Sequence, residues 1–301
     1  MSVEDKLSAC GRLARRYDPD RYLAALFAPP ERREALFALA AFNIEIAKTR
    51  EAVSEPMLGQ IRLQWWRETL NGVFGAPADG EGSAGAEGGQ GARAPRRHEV
   101  VEPLSAAAAR YGLDRAPLDS LIDARERDLE IDERPFATLD ELEAYARETG
   151  APLVVAGLRV LGADTPEARE AGEAVGTAFA LTGIARAVPF QARFRRTALP
   201  EDLIAETGVD RGDLFELRSS PALAAAIERL AARARDHLAR ARRLRGGIPR
   251  AAVPGLLTAR LAEGHLTRLA AAGHDPFDGR VGQAPPWRAY GLSLAAFLGR
   301  Y

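Results

Sequence analysis

A single cysteine among 301 residues, Cys10, excludes an internal disulfide and a thiolate metal cage. Four histidines, His98, His237, His265 and His274, share no ligand spacing, and no His-Glu-x-x-His segment occurs, so no zinc centre is expected and no role is assigned to them. Long apolar runs are also missing. The longest stretch without a charged residue, Ala174 to Ala185, is twelve residues, well short of the roughly 20 apolar residues that span a bilayer as a helix. Neither sign of charge dominates: 41 basic residues stand against 42 acidic ones, which leaves no global field for a polyanion and argues against a nucleic-acid partner. Glu4 and Asp5 near the first residue, with no apolar block behind them, are the wrong order for a secretory signal, so a cytoplasmic location is expected.

What is present is apolar and helix-forming. Some 47% of the residues are hydrophobic and about a fifth are alanine, and apolar positions recur at three and four rather than at two. That periodicity predicts eight to ten helices in one domain over residues 1–301, with no strand. Pro29-Pro30-Glu31 opens a helix expected to run through Arg32 to Val53, and a second follows Pro56 to about Asn71-Gly72. Seven glycines between Gly75 and Ala94 mark residues 75–97 as a flexible loop insert; without a preceding strand or a Gly-Lys-Ser/Thr step they are not a phosphate cradle. Further helices are predicted near His98–Tyr111, Pro117–Glu133 and Leu139–Leu161. The last of these carries a Thr138/Glu141 capping box and is bent or interrupted at Gly150 to Pro152. Thr165-Pro166-Glu167 begins another, expected to stop near Val188 because Pro189 lacks an amide donor and crowds the carbonyl of Ala185. Two more, Pro221–Leu244 and Ala251–Ala272, precede a segment from Pro286.

The helices at Arg32–Val53 and Thr165–Val188 are apolar on most faces and are therefore expected at the centre, each touching several neighbours. Polar groups on them need an account. Lys48, Arg50, Arg186 and Arg196, with Arg193 and Arg195, are suited to hold a phosphate or lipid head group directly through charge-assisted hydrogen bonds; ordinary solvated arginines are the competing reading. Trp65 and Trp66 point about 100° apart on a helix, so one should enter the core and the other a groove or interface. Gly172 and Gly176, one turn apart, suit close helix packing. Pro221 to Gly246 holds seven arginines and two acids, a face compatible with an anionic membrane or with plain solvation.

Several short segments, in order, carry a resemblance. Phe27-Ala28-Pro29-Pro30-Glu31-Arg32-Arg33-Glu34-Ala35-Leu36 and Ala41-Phe42, then Asp128-Leu129 and Tyr145, then Gly176, Leu181-Thr182, Ile184, Arg186, Arg196 and Leu199-Pro200 resemble the squalene and phytoene synthases over roughly Arg21 to Ala272. The resemblance implies an all-α isoprenoid synthase fold, a helical bundle around a central cavity, in which aspartates on two facing helices hold Mg²⁺ for a departing diphosphate. Aligned on Ala41-Phe42, the first aspartate motif falls on Ala47, Lys48, Thr49, Arg50 and Glu51; aligned on Leu181-Thr182, the second pair falls on Ala187 and Gln191. Only Glu51 retains a carboxylate, and Pro189 should turn Gln191 away from the cavity. Asp128 and Asp132 have an i, i+4 spacing, but an acidic solvated face is the plainer reading.

Within that family, Ala41-Phe42-Asn43-Ile44-Glu45, Val53-Ser54-Glu55 and Leu63-Gln64-Trp65-Trp66 are similar to the branch of respiratory complex I assembly factors, whose aspartate motifs are degenerate. That similarity implies a pseudoenzyme with no cofactor and no catalytic residue. Its role would be assembly or stabilisation of the NADH:quinone oxidoreductase, with complex I subunits or assembly intermediates as partners, at the inner face of the membrane. The degenerate cavity would comprise Lys48, Arg50, Glu51, Arg186, Gln191 and Arg196. Two alternatives stay open: a Mg²⁺-dependent head-to-head prenyl diphosphate transferase, and a metal-free isoprenoid or lipid binder.

Overall fold

The computed structural model describes residues 7–52, 56–75, 98–130, 135–283 and 287–301. The Gly-rich segment past Gly75, Val53-Ser54-Glu55 and Asp132 lie outside those residues, as do the side chains of Glu51 and Glu130. Among the described residues all regular structure is helical: α1 (Ala9–Tyr17), α2 (Pro19–Ala25), α3 (Pro30–Ala47), α4 (Thr49–Ala52), α5 (Pro56–Phe74), α6 (Val101–Tyr111), α7 (Ala116–Glu130), α8 (Leu139–Val160), α9 (Pro166–Arg193), α10 (Glu201–Thr207), α11 (Arg211–Phe215), α12 (Pro221–Arg243), α13 (Val253–Leu256), α14 (Thr258–Ala271), α15 (Gly279–Gly282) and α16 (Arg288–Phe297).

The helix starts follow side-chain chemistry. Ser8, Asp18, Thr138, Thr165 and Ser220 each accept a hydrogen bond from an amide of the first turn they cap. At α8 the expected box is shifted by one residue: Thr138 accepts from the Glu141 amide at 3.1 Å, but Glu141 reaches back to the amide of Ala137 at 2.7 Å. The stretch predicted as one helix from Arg32 to Val53 breaks at Lys48, whose amide bonds the carbonyl of Ile44 before α4 restarts at Thr49.

α9 is the central rod. It packs on α8, α12 and α14, and its alanines and small residues are buried on most sides. One core gathers α8, α9, α12 and α14; a second gathers α1, α3, α5, α6 and α7 around Phe42, Trp66 and Leu118, with α8 contributing to both. Trp66 is the fully buried tryptophan and stands edge-on to Phe42, whereas Trp65 lines a surface groove with Gln60 and Arg67. α8 and α9 approach so closely that a Cβ on Gly150 would lie 2.2 Å from the carbonyl oxygen of Gly176, and one on Gly176 2.5 Å from that of Gly150. A Cβ on Gly172 would lie 2.8 Å from Leu158. α8 runs unbroken through Gly150 and Pro152.

Pro189 does not end α9, which continues to Arg193. An internal proline costs about 3 kcal/mol in an isolated helix. Here Val188 and Ala192, on either side of it, are both buried in the core, and that burial offsets the lost hydrogen bond. Consequently Gln191 stays on the helix and faces the cavity, contrary to the expectation from sequence.

Candidate functional site

α9 presents one stripe to a cavity of about 630 Å³: Ala180, Gly183, Ile184, Ala187, Phe190 and Gln191, spaced at three and four. Facing it are Asn43 and Ala47 from α3, Arg50 from α4, Arg21 from α2, Arg125 and Asp128 from α7, and Tyr145 and Thr149 from α8; Phe194, Arg196 and Thr197 close one side. The predicted site residues divide. Arg50, Gln191 and Arg196 are on the wall, as are Ala47 and Ala187, the positions over which the family's aspartates fall. Lys48 turns away, its ammonium over the ring of Tyr17. Arg186 points out of the cavity, with its guanidinium 3.9 Å from the carboxylate of Asp20.

The wall is cationic. Arg21, Arg50, Arg125 and Arg196 contribute four guanidinium groups, and Asp128 is the one carboxylate among the described lining residues. Asp128 is already engaged: Arg125 lies 3.1 Å from one of its oxygens and the Tyr145 hydroxyl donates to the other. Arg125 also donates to the Tyr145 oxygen at 3.0 Å. Burial, reinforced by the Asp128 charge, pushes the Tyr145 hydroxyl far above its ordinary range, so it stays a proton donor. Arg21 pairs with Asp18 at 2.6 Å and spreads over the ring of Phe179. The side-chain oxygen of Asn43 is buried at the cavity without a hydrogen-bond partner. Gln191 uses its side-chain oxygen to accept from the amide of Ala198 at 3.1 Å, fastening the turn that carries Phe194 and Arg196.

The donor set of the described residues does not fit Mg²⁺. A hard dication needs several oxygens, usually carboxylates from more than one helix. Among the described residues the wall offers methyl groups at 47 and 187, an amide occupied with a backbone bond at 191, and a single aspartate neutralised by a half-buried arginine. Among the described residues no group of three or more His, Cys, Asp or Glu is placed to hold a metal. What the arrangement suits is an anion with an apolar tail: guanidinium groups converge beside Phe179, Phe190 and Phe194.

A second polar cluster was not legible in the sequence. Asp20, 5% exposed, accepts from His265 at 2.6 Å and from Arg288, while Arg268 donates to the other ring nitrogen of His265. Arginine only donates and an ionised carboxylate only accepts, so His265 is the neutral tautomer with its proton on Nε2. Burial lowers the His265 pKa, more than the hydrogen bond to Asp20 raises it; for Asp20 burial opposes, but the contacts with His265, Arg288 and Arg186 hold the carboxyl below its usual range.

An all-helical bundle with a cavity between α3, α7, α8 and α9 is the isoprenoid synthase fold. A dehydrosqualene synthase whose structure was determined with a ligand superposes on it with a TM-score of 0.77 over 96% of this chain and 94% of its own, at 19% identity. The squalene/phytoene synthase family model matches residues 14–290, and the chain belongs to that family. Within it, NADH dehydrogenase (ubiquinone) complex I, assembly factor 6 of Bos taurus is 30% identical over 268 residues, 89% of this chain and 75% of the relative. Phytoene synthase 1 of Arabidopsis thaliana is 28% identical over 216 residues, 68% of this chain and 46% of the relative.

Proposed function

We propose that this protein is a non-catalytic member of the squalene/phytoene synthase family that assists the assembly or stabilisation of respiratory complex I, working as a peripheral protein at the inner face of the membrane without a metal cofactor. The carrying observation is the cavity wall: Ala47, Ala187 and Gln191 stand where paired carboxylates would be needed, and Asp128 is bound to Arg125 and Tyr145. The match to assembly factor 6 over 89% of the chain, against 68% for phytoene synthase, supports the same reading. No helix among the described residues is long and apolar enough to cross a membrane, which accords with a peripheral placement. Deletion of the gene should lower NADH:quinone oxidoreductase activity and the amount of the intact complex, with restoration by the wild-type chain; a normal complex in the deletion strain refutes the proposal. Incubation with farnesyl or geranylgeranyl diphosphate and Mg²⁺ or Mn²⁺ should release no diphosphate.

A second reading, a metal-free isoprenoid or lipid binder, is favoured by the four arginines beside Phe179, Phe190 and Phe194. The two readings are compatible, since a bound lipid can stabilise an assembly factor. Isothermal titration with a farnesyl phosphate in the presence of a chelator tests the second: binding that is lost in Arg125→Met supports the binder, and no binding removes it.

A further inference from the structure

We infer that α16 is the surface by which this protein docks on an anionic lipid bilayer. One side of the helix is fixed. Leu292 and Ala295 are buried with Ala24, Val253, Leu257 and Leu261, and Arg288 reaches the Asp20 carboxylate. Nothing among the described residues covers the other side: Trp287, Tyr290, Leu294 and Phe297 are 72, 70, 61 and 75% exposed. Their spacing of three, four and three places them in one stripe about 15 Å long on a helix that rises about 1.5 Å per residue. Scattered exposed hydrophobic residues are ordinary, but a continuous row of four large ones on a braced helix is not. Tryptophan and tyrosine prefer the head-group level, and leucine and phenylalanine the acyl chains beneath it.

The charge around the stripe selects the kind of surface. Residues 279–301 contain three arginines and no acid, and residues 237–262 contain six arginines and no acid. The fold brings these segments together: Arg250 donates to the carbonyl of Phe297 at 2.7 Å, and the Tyr301 hydroxyl donates to the carbonyl of Ala241 at 2.9 Å. Arg243, Arg245, Arg250 and Arg300 are exposed there, and none forms an ion pair with a carboxylate among the described residues. A row of interfacial side chains ending in unneutralised cations complements anionic head groups over a hydrocarbon layer. The inference rests on the peripheral placement proposed above for its setting, but its observations belong to α16 and the residues it touches.

The test is flotation of the full chain with vesicles of phosphatidylcholine alone or with roughly one-third phosphatidylglycerol. Binding is expected on the anionic vesicles, weakening as salt is raised. Trp287→Ser with Phe297→Ser should reduce the partition coefficient at least about tenfold. Arg243→Glu with Arg300→Glu should reduce it about tenfold on anionic vesicles and little on neutral ones. Circular dichroism monitors folding. Should a double variant fail to fold, the wild-type fluorescence still decides: emission should move to the blue on anionic vesicles, and the shift should vanish in Trp287→Phe. No binding to anionic vesicles, binding untouched by both folded double variants, or no blue shift overturns the inference. Self-association abolished by the stripe substitutions, without vesicle binding, assigns the stripe to a second copy and overturns it too. These outcomes are independent of complex I levels in the deletion strain, so either proposal can fail alone.

Discussion

Two carboxylates in this molecule are held in nearly the same way and serve opposite ends. Asp20 on α2 and Asp128 on α7 each meet an arginine and a ring-borne donor, His265 in one case and Tyr145 in the other. Asp20 draws its partners from α14, α16 and α9, up to 268 residues away in the chain, and is closed off from water. Asp128 draws its arginine from its own helix and its tyrosine from α8, and it stands on the wall of the cavity. The first arrangement joins remote parts of the chain. The second sits on a surface open to the cavity, where four guanidinium groups and one carboxylate share the described lining. Similar chemistry therefore ties remote segments together where it is enclosed and shapes a cavity wall where it is open.

The comparison is most severely tested by removing each carboxylate. Asp20→Ala takes the carboxylate from the buried His265 and from the half-buried Arg288 and Arg186, and should destabilise the fold by about 2–4 kcal/mol in a denaturant titration. Gly176→Ala should cost about 1–3 kcal/mol, since the added methyl meets the backbone of Gly150, which has no side-chain rotamer with which to yield. Asp128→Asn keeps the shape and lets cavity water serve Arg125, so a smaller loss of about 1 kcal/mol is expected, together with a more cationic cavity that binds anions more tightly. Equal losses for Asp20→Ala and Asp128→Asn would erase the distinction between the two sites.

The smallest effect concerns pH. His265 has a folded-state pKa below its ordinary value of 6.5, so the stability it contributes is complete above pH 6.5 and is lost as pH falls through the depressed folded value. Asp20, depressed below 3.8, acts in the same direction at lower pH. Thermal midpoints measured downward from pH 7 should fall. In His265→Gln, which can still donate to Asp20 and accept from Arg268, the part of that fall contributed by His265 should disappear.

Much of this fold is legible in its residues because the helices are long, alanine-rich and capped by serine, threonine and aspartate within one turn of where they start. The family resemblance, aligned on Ala41-Phe42 and on Leu181-Thr182, points to Ala47, Ala187 and Gln191, and all three line the cavity. The local rule for proline fails at Pro189 because tertiary packing overrides it: burial of Val188 and Ala192 carries the helix across it. Sequence proximity places Arg186 and Lys48 with the cavity, but on a helix the neighbours of Ala187 and Ala47 point elsewhere, and Asp20 and Tyr17 receive them. The Asp20 and His265 pair left no signal at all, since 245 residues separate them and neither belongs to a motif.

The contact between α8 and α9 at Gly150 and Gly176 is made by backbone against backbone. With no layer of side chains to deform, the helices resist sliding and retain chiefly the freedom to tilt, so the crossing acts as a fulcrum. Tyr145 and Thr149 lie on one arm of that lever, and Phe179 and Ala180 on the other. A molecule wedged between those arms would splay the pair, and α12 and α14, seated on α9, would feel the rotation at the far side of the bundle.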